Sequence, residues 1–131
     1  MFEAIIFDWD GTLADSRQIV LASFRKALDD VNCKVSDKFI ERLIGVGSTE
    51  TFREILRATD ACFDKVRIKN LVKKKAQEEI KMSSSVKLLP GALELLETLQ
   101  GKIKLGLASM NNRVVVNHML KTKNLDKFFN V

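Results

Sequence analysis

The ten residues FDWDGTLADS, Phe7 to Ser16, decide how the rest of the chain is read. They continue an apolar run that begins at Ala4, and they set two carboxylates, Asp8 and Asp10, around Trp9 and directly before Gly11. Four consecutive apolar residues bounded by charge and glycine are the pattern of a short strand in a parallel sheet covered on both faces. Alternation along such a strand sends Asp8 and Asp10 one way and Trp9 the other. Two neighbouring carboxylates repel each other unless a proton or a cation intervenes. A hard divalent ion with oxygen ligands, Mg²⁺ above all, resolves that repulsion. Gly11 permits a tight turn whose backbone N–H groups can face an anion. A ligand site is therefore expected at the carboxyl end of the strand, where open parallel sheets collect their ligands.

Working outward, Ser16 is placed to N-cap a helix running to about Val31, with Ile19, Val20, Phe24, Ala27 and Leu28 on one side. Ser36 opens a second helix carrying Phe39, Ile40, Leu43 and Ile44; the loop GVGS, Gly45 to Ser48, follows it. Ser48 or Thr49 caps a third helix with Phe52, Ile55 and Leu56, and a long helix is predicted from about Asp60 to Met82. Ser83 to Ser85 read as a linker. Pro90 and Gly91 then start a short amphipathic helix that Gly101 ends. KLGLAS, Lys104 to Ser109, is a second strand that again stops at a small polar residue, and Asn111 or Asn112 begins another helix. Phe128, Phe129 and Val131 look like the approach to a third strand.

Strands alternating with helices predict an α/β fold with a parallel sheet and right-handed crossovers. The helices between residues 15 and 83 are too many for one crossover and read as an inserted helical subdomain, leaving 1–14 and 84–131 to the sheet. Two strands and a fragment of a third cannot bury both sheet faces. The core is thus read as incomplete at its C-terminal side, to be finished by further chain or by a partner.

Composition narrows the class of molecule. With 131 residues, 46% apolar and 30% charged, the chain fits a soluble globular protein. No run approaches the ~18 apolar residues of a membrane span. The N-terminus has no basic leader, so a cytoplasmic location is expected. Cys33 and Cys62 suggest structural thiols rather than a disulfide framework or zinc site, and His118 a helix-surface or packing residue. Lys65 to Lys81 holds seven basic and two acidic residues, which equals the whole net charge of +5. A solvated helix face is the expected reading, with attraction for anionic substrates as the sharper one. Nucleic acid is not an expected partner, because interleaved aromatics and a recognisable module are missing.

At the end of the second strand, Ser109 offers a hydroxyl and, just before a helix N-terminus, backbone N–H groups. With Asp8 and Asp10 this makes a phosphate site beside a magnesium site. DWDGTLADS resembles the first motif of the haloacid dehalogenase superfamily, and LASMN, Leu107 to Asn111, resembles its second. LLPGALELLETL, Leu88 to Leu99, is similar to the segment before that second motif in the helical-cap subgroup, which includes phosphoglycolate phosphatases and β-phosphoglucomutases.

The resemblance implies a Rossmann-like parallel-sheet core with an inserted α-helical cap. It also implies a Mg²⁺-dependent phosphohydrolase acting on a small phosphomonoester. In that scheme Asp8 is the nucleophile that forms an aspartyl-phosphate, and Asp10 is the general acid/base. The Asp8 carboxylate and the Asp10 backbone carbonyl hold Mg²⁺. Ser109 and backbone N–H groups near Gly11 and Met110 cradle the phosphoryl oxygens, while Thr12 supports the loop. IGVGSTETF, Ile44 to Phe52, resembles the cap loop that reaches toward substrate, with Gly45 and Gly47 allowing close approach and Ser48 and Thr49 offering hydroxyls; a plain helix–helix connection is the other reading. The family's third-motif lysine and fourth-motif acids have no match here, since Lys121, Lys123 and Lys127 fall too early and only Asp126 follows Ser109 as an acid. A phosphomutase and a non-catalytic phosphate-binding or interaction module stay open as alternatives. The oligomeric state is not legible.

Overall fold

The computed structural model describes residues 1–59 and 64–129. Strand β1, Ala4–Phe7, lies parallel to β4, Lys104–Leu107, with Ala4 opposite Lys104 and Phe7 opposite Leu107. Between them the chain makes β2 (Ala14–Asp15), helices α1 (Arg17–Asp29), α2 (Asp37–Leu43), α3 (Ser48–Ala58) and α4 (Lys65–Met82), then β3 (Lys87–Leu88) and α5 (Ala92–Leu99). Helix α6, Arg113–Thr122, and a 3₁₀ turn at Asp126–Phe128 follow β4. Thus the expected alternation of strand, helices and parallel strand is present. The pairing of β2 with β3, Ala14 opposite Leu88, was invisible at two residues per strand. It ties together the two places where the chain leaves and re-enters the sheet region, helped by Leu89 N–H on the Leu13 carbonyl at 2.8 Å.

Apolar side chains gather in two clusters. Trp9, Leu13, Leu96, Leu105, Val115 and Met119 form one beneath the sheet. Phe24, Leu28, Ile40, Phe52, Ile55 and Leu56 form the other among the helices, with the Phe24 and Phe52 rings edge-on at 5.0 Å. Each such side chain stabilises the fold by roughly 1.5–3 kcal/mol on full burial. Helix α4 serves both clusters, giving Ile68 and Leu71 to one and Ala76 to the other.

Several expectations are corrected. Strand β1 is not covered on both faces: Ile5 and Phe7 pack on the first cluster, whereas Ile6 is 72% exposed, because the helices beside this sheet cover one side of it. Neither Ser48 nor Thr49 caps α3; Gly47 does, at φ +95°, and Ser48 is the first helical residue. The long helix begins at Lys65, since the Asp64 carboxylate accepts the Arg67 N–H at 2.7 Å and caps it. The earlier start expected for it, with Cys62, lies outside the described residues, as does Val131. Ser83 to Ser85 form a 3₁₀ turn rather than a linker, with the Ser83 hydroxyl buried and donating to the Ile80 carbonyl at 2.7 Å. Phe128 closes a 3₁₀ turn and is buried, Phe129 after it is extended, and the strand expected to follow lies outside the described residues.

The basic helix is not solvated on all its charged positions. Lys75, Glu78 and Glu79 are buried, and Lys26, Lys74 and Lys81 surround Glu78. Cys33 is a free, buried thiol. Among the described residues no helix is long and apolar enough to cross a membrane.

Candidate active site

The site is built where β1 and β4 end side by side, joined by Ala108 N–H on the Phe7 carbonyl at 2.8 Å. Trp9 turns into the core with no exposed surface, and its indole N–H donates to the Met119 sulfur at 3.4 Å. Its carbonyl accepts the N–H groups of Thr12, Leu13 and Ala14, which winds the chain into a compact loop. Gly11 takes φ +78° to close that loop, a conformation glycine adopts without a Cβ penalty. Anchored this way, Trp9 leaves Asp8 and Asp10 facing a common cavity of about 170 Å³. The Asp8 carboxylate accepts the Trp9 N–H at 2.8 Å, which limits its rotation.

Most of the residues singled out from sequence share that cavity. Asp8, Asp10, Ser109 and Met110 line it from the strand ends; Gly45, Gly47 and Ser48 line it from the loop between α2 and α3. The loop comes close: a Cβ on Gly47 would sit 3.4 Å from the Met110 methyl carbon. Gly11, Thr12 and Thr49 are not in the wall. Gly11 borders an adjoining hollow with Asp10 and Ser16, and Thr12 and Thr49 are exposed. The Gly11 N–H, expected to face an anion, is engaged by the Ala14 carbonyl at 2.9 Å, so Gly11 shapes the turn instead. Ser16 occupies the N-cap position of α1 without capping it. Its hydroxyl donates to Asp10 Oδ1 at 2.5 Å, because a carboxylate is the stronger acceptor. The Ser109 hydroxyl oxygen accepts the Asn111 N–H at 3.0 Å and keeps its own hydrogen to donate.

Lys75, Glu79 and Asn111 were missed from sequence. Lys75 and Asn111 line the cavity, and Glu79 stands behind them in an ion pair with Lys75. The Lys75 ammonium also lies 4.7 Å from the centre of the Phe24 ring, a favourable cation–π distance. A signal existed: positions 68, 71, 75 and 79 follow the three- and four-residue spacing of one helix face. The charges on that face hid it.

Burial holds the Asp10 carboxyl above its ordinary value, and the nearby Glu79 charge adds to this. The Ser16 and Asn111 hydrogen bonds and the Lys75 charge oppose the rise without cancelling it. Asp10 therefore keeps its proton to higher pH than an exposed aspartate does.

The model of one family, haloacid dehalogenase-like hydrolase, matches residues 5–131. The chain belongs to that family. Among haloacid dehalogenase-like relatives, it is 30% identical over 132 residues to a phosphorylated carbohydrates phosphatase of Thermotoga maritima, covering 98% of this chain and 59% of that protein. It is 28% identical over 127 residues to the pyrophosphatase PpaX of Oceanobacillus iheyensis, covering 95% of this chain and 56% of that protein. A crystal structure of a hydrolase from Pseudomonas syringae superposes with a TM-score of 0.84 at 32% identity, covering 95% of this chain and 57% of that one. The chain thus spans between 56 and 59% of the length of these relatives. Within the haloacid dehalogenase-like fold, the paired strand ends, the loop before α3 and side chains of α1 and α4 meet around the cavity.

Proposed function

We propose that this chain carries the nucleophilic half of a phosphohydrolase site that removes phosphate from a small phosphomonoester. The observation that supports it best is the convergence of Asp8, Asp10 and Ser109, from strand ends a hundred residues apart in sequence, on one small cavity. The Asp8 carboxylate attacks phosphorus; the bond to the leaving oxygen breaks, and Asp10 gives that oxygen its proton. Water then attacks the aspartyl-phosphate, Asp10 takes the water's proton back, and Asp8 is released with inorganic phosphate. Ser109 and the backbone after it donate to the phosphoryl oxygens, where charge accumulates in the transition state. The raised Asp10 pKa suits a group that must hold a proton beside an ionised partner.

The Asp8 carboxylate and the Asp10 backbone carbonyl would hold Mg²⁺. Among the described residues no cluster of three or more metal-binding side chains occurs, and magnesium often takes only one or two carboxylates while keeping several waters. One carboxylate and one carbonyl therefore fit the ion, which when bound would neutralise phosphate charge and let an anionic nucleophile approach. We also propose that residues 1–14 and 84–131 form the core and 15–83 its cap, whose loop at Gly45 to Ser48 meets the leaving group.

The test is phosphate release by the full-length protein from a panel of phosphomonoesters, with Asp8→Asn as control. Loss of release in Asp8→Asn with an unchanged melting temperature supports the reading. Release at the parental rate would remove Asp8 as nucleophile and the proposal with it.

A further inference from the structure

In the wall of the cavity and just behind it lies a polar cluster to which the proposed chemistry assigns no role. Lys75 and Glu79, one turn apart on α4, form an ion pair with side chains 3% and 0% exposed. A buried pair rarely stabilises a fold more than apolar residues of the same volume would. Its neighbours show another use. The Asn111 amide nitrogen donates to Glu79 Oε2 at 2.9 Å and to Asp10 Oδ2 at 3.3 Å. The Asn111 amide oxygen accepts from Lys75 Nζ at 3.3 Å and from the Asn112 N–H at 2.7 Å. Only this orientation works. Turned over, the amide would set its NH₂ against an ammonium and an N–H, and its oxygen against two carboxylates. Each Asp10 oxygen is thereby held by one partner, Ser16 on Oδ1 and Asn111 on Oδ2, and the two partners belong to different parts of the chain.

We infer that Asn111 is a positioning residue for Asp10, itself oriented by the Lys75–Glu79 pair on α4. This rests on the phosphohydrolase reading above. A general acid works only within hydrogen-bond reach of the atom it protonates, so the rotation of its carboxylate matters as much as its acidity. Fixing that rotation needs a donor that is itself fixed. The buried pair does this to Asn111 from both sides: Glu79 takes one of its hydrogens and Lys75 donates to its oxygen. The desolvated charges of α4 are thus directed toward the reacting group rather than toward the apolar clusters.

Asn111→Ala and Asn111→Asp in the full-length protein test this with two probes. Glycerol phosphate has an alkyl leaving group that needs a proton; p-nitrophenyl phosphate releases a phenolate that does not. Asn111→Asp keeps the oxygen that serves Asn112 and Lys75 but sets a second oxygen against Asp10 and Glu79 in place of the donor. Its melting temperature is therefore read beside its kinetics, to separate lost folding from lost positioning. The expected result is that both variants lower kcat on glycerol phosphate by roughly 10- to 100-fold, the size that supporting hydrogen-bond partners carry. KM should stay within about threefold, and the loss of kcat/KM, which ends at aspartyl-phosphate formation, should be clearly smaller on p-nitrophenyl phosphate. Parental kcat in Asn111→Asp, KM rising in step with the loss of kcat, or equal losses of kcat/KM on both esters would each overturn the inference. Should Asn111→Ala fail to fold, Asn111→Asp decides alone. Asp8→Asn and Asp10→Asn run alongside: if they too keep full activity, it is the phosphohydrolase reading that has failed.

Discussion

At the residue scale, Trp9 separates two tasks at the end of β1. Its fully buried ring anchors the loop, and that anchoring aims the carboxylates on either side of it at the cavity. Asp8→Asn should cut phosphate release by roughly 1,000-fold or more, the scale of losing a covalent nucleophile. Asp10 makes a separate prediction in the absence of metal and substrate. Its folded-state pKa is raised, so the folded protein binds that proton more tightly than the unfolded chain. Keeping Asp10 ionised consequently weakens the fold at neutral pH, and the cost fades as pH falls through the raised value toward the ordinary aspartate range. Asp10→Asn, which mimics the protonated group, should melt higher than the parent in EDTA at neutral pH. That advantage should shrink steadily on acidification; an advantage independent of pH would contradict the electrostatic origin.

At the element scale, α4 is the helix whose sequence misleads most. Its charges advertise a solvent face, but Lys75 and Glu79 sit on the buried side beside Ser23 and Asn111. Removing one member leaves an unpaired buried charge, so Lys75→Met should lose about 3–5 kcal/mol of unfolding free energy in a denaturant titration. The double change Lys75→Met with Glu79→Leu should recover a large part of that loss; no recovery would mean the pair is not electrostatically coupled. The loop before α3 has its own constraint. Gly47 has φ +95° and lies against Met110, so Gly47→Ala should cost about 1 kcal/mol or more through backbone strain. Gly106, in an ordinary strand conformation, provides the contrast. An added Cβ there would meet the Ile6 side chain at 3.6 Å, ordinary contact distance, and Gly106→Ala should leave the melting temperature nearly unchanged.

At the scale of the whole molecule, two apolar clusters share one long helix. Because α4 gives side chains to both, it cannot unfold without exposing both. Hydrogen exchange should therefore find the α4 amides near Leu71 to Ala76 among the most protected in the chain. Exchange there as fast as in the loop at Gly45 to Ser48 would show that the clusters do not depend on the helix. Phe52→Ala, at the centre of the helical cluster, should cost about 3–5 kcal/mol and lower that protection as well.

Much of this was legible in the sequence because it is written in local pattern. The apolar run before Asp8, the glycine turn and Ser36 as a cap each follow from neighbouring residues alone. So do a helix start at Asn111 or Asn112 and a second strand from Lys104, which ends at Leu107, two residues before Ser109. The grouping of Asp8, Asp10 and Ser109 came from their places at strand ends, and the glycine loop joined them as a candidate only through the family resemblance. What stayed hidden depends on partners distant in the chain. The diversion of the Ser16 hydroxyl from capping to Asp10 and the two-residue pairing of β2 with β3 are of this kind. The inward turn of Lys75 and Glu79 toward Asn111 belongs with them. Sequence period reports which face of an element is apolar, but a charge enters a core only where tertiary contacts supply its counter-charge and hydrogen bonds. That supply exists only after the strands and helices have met.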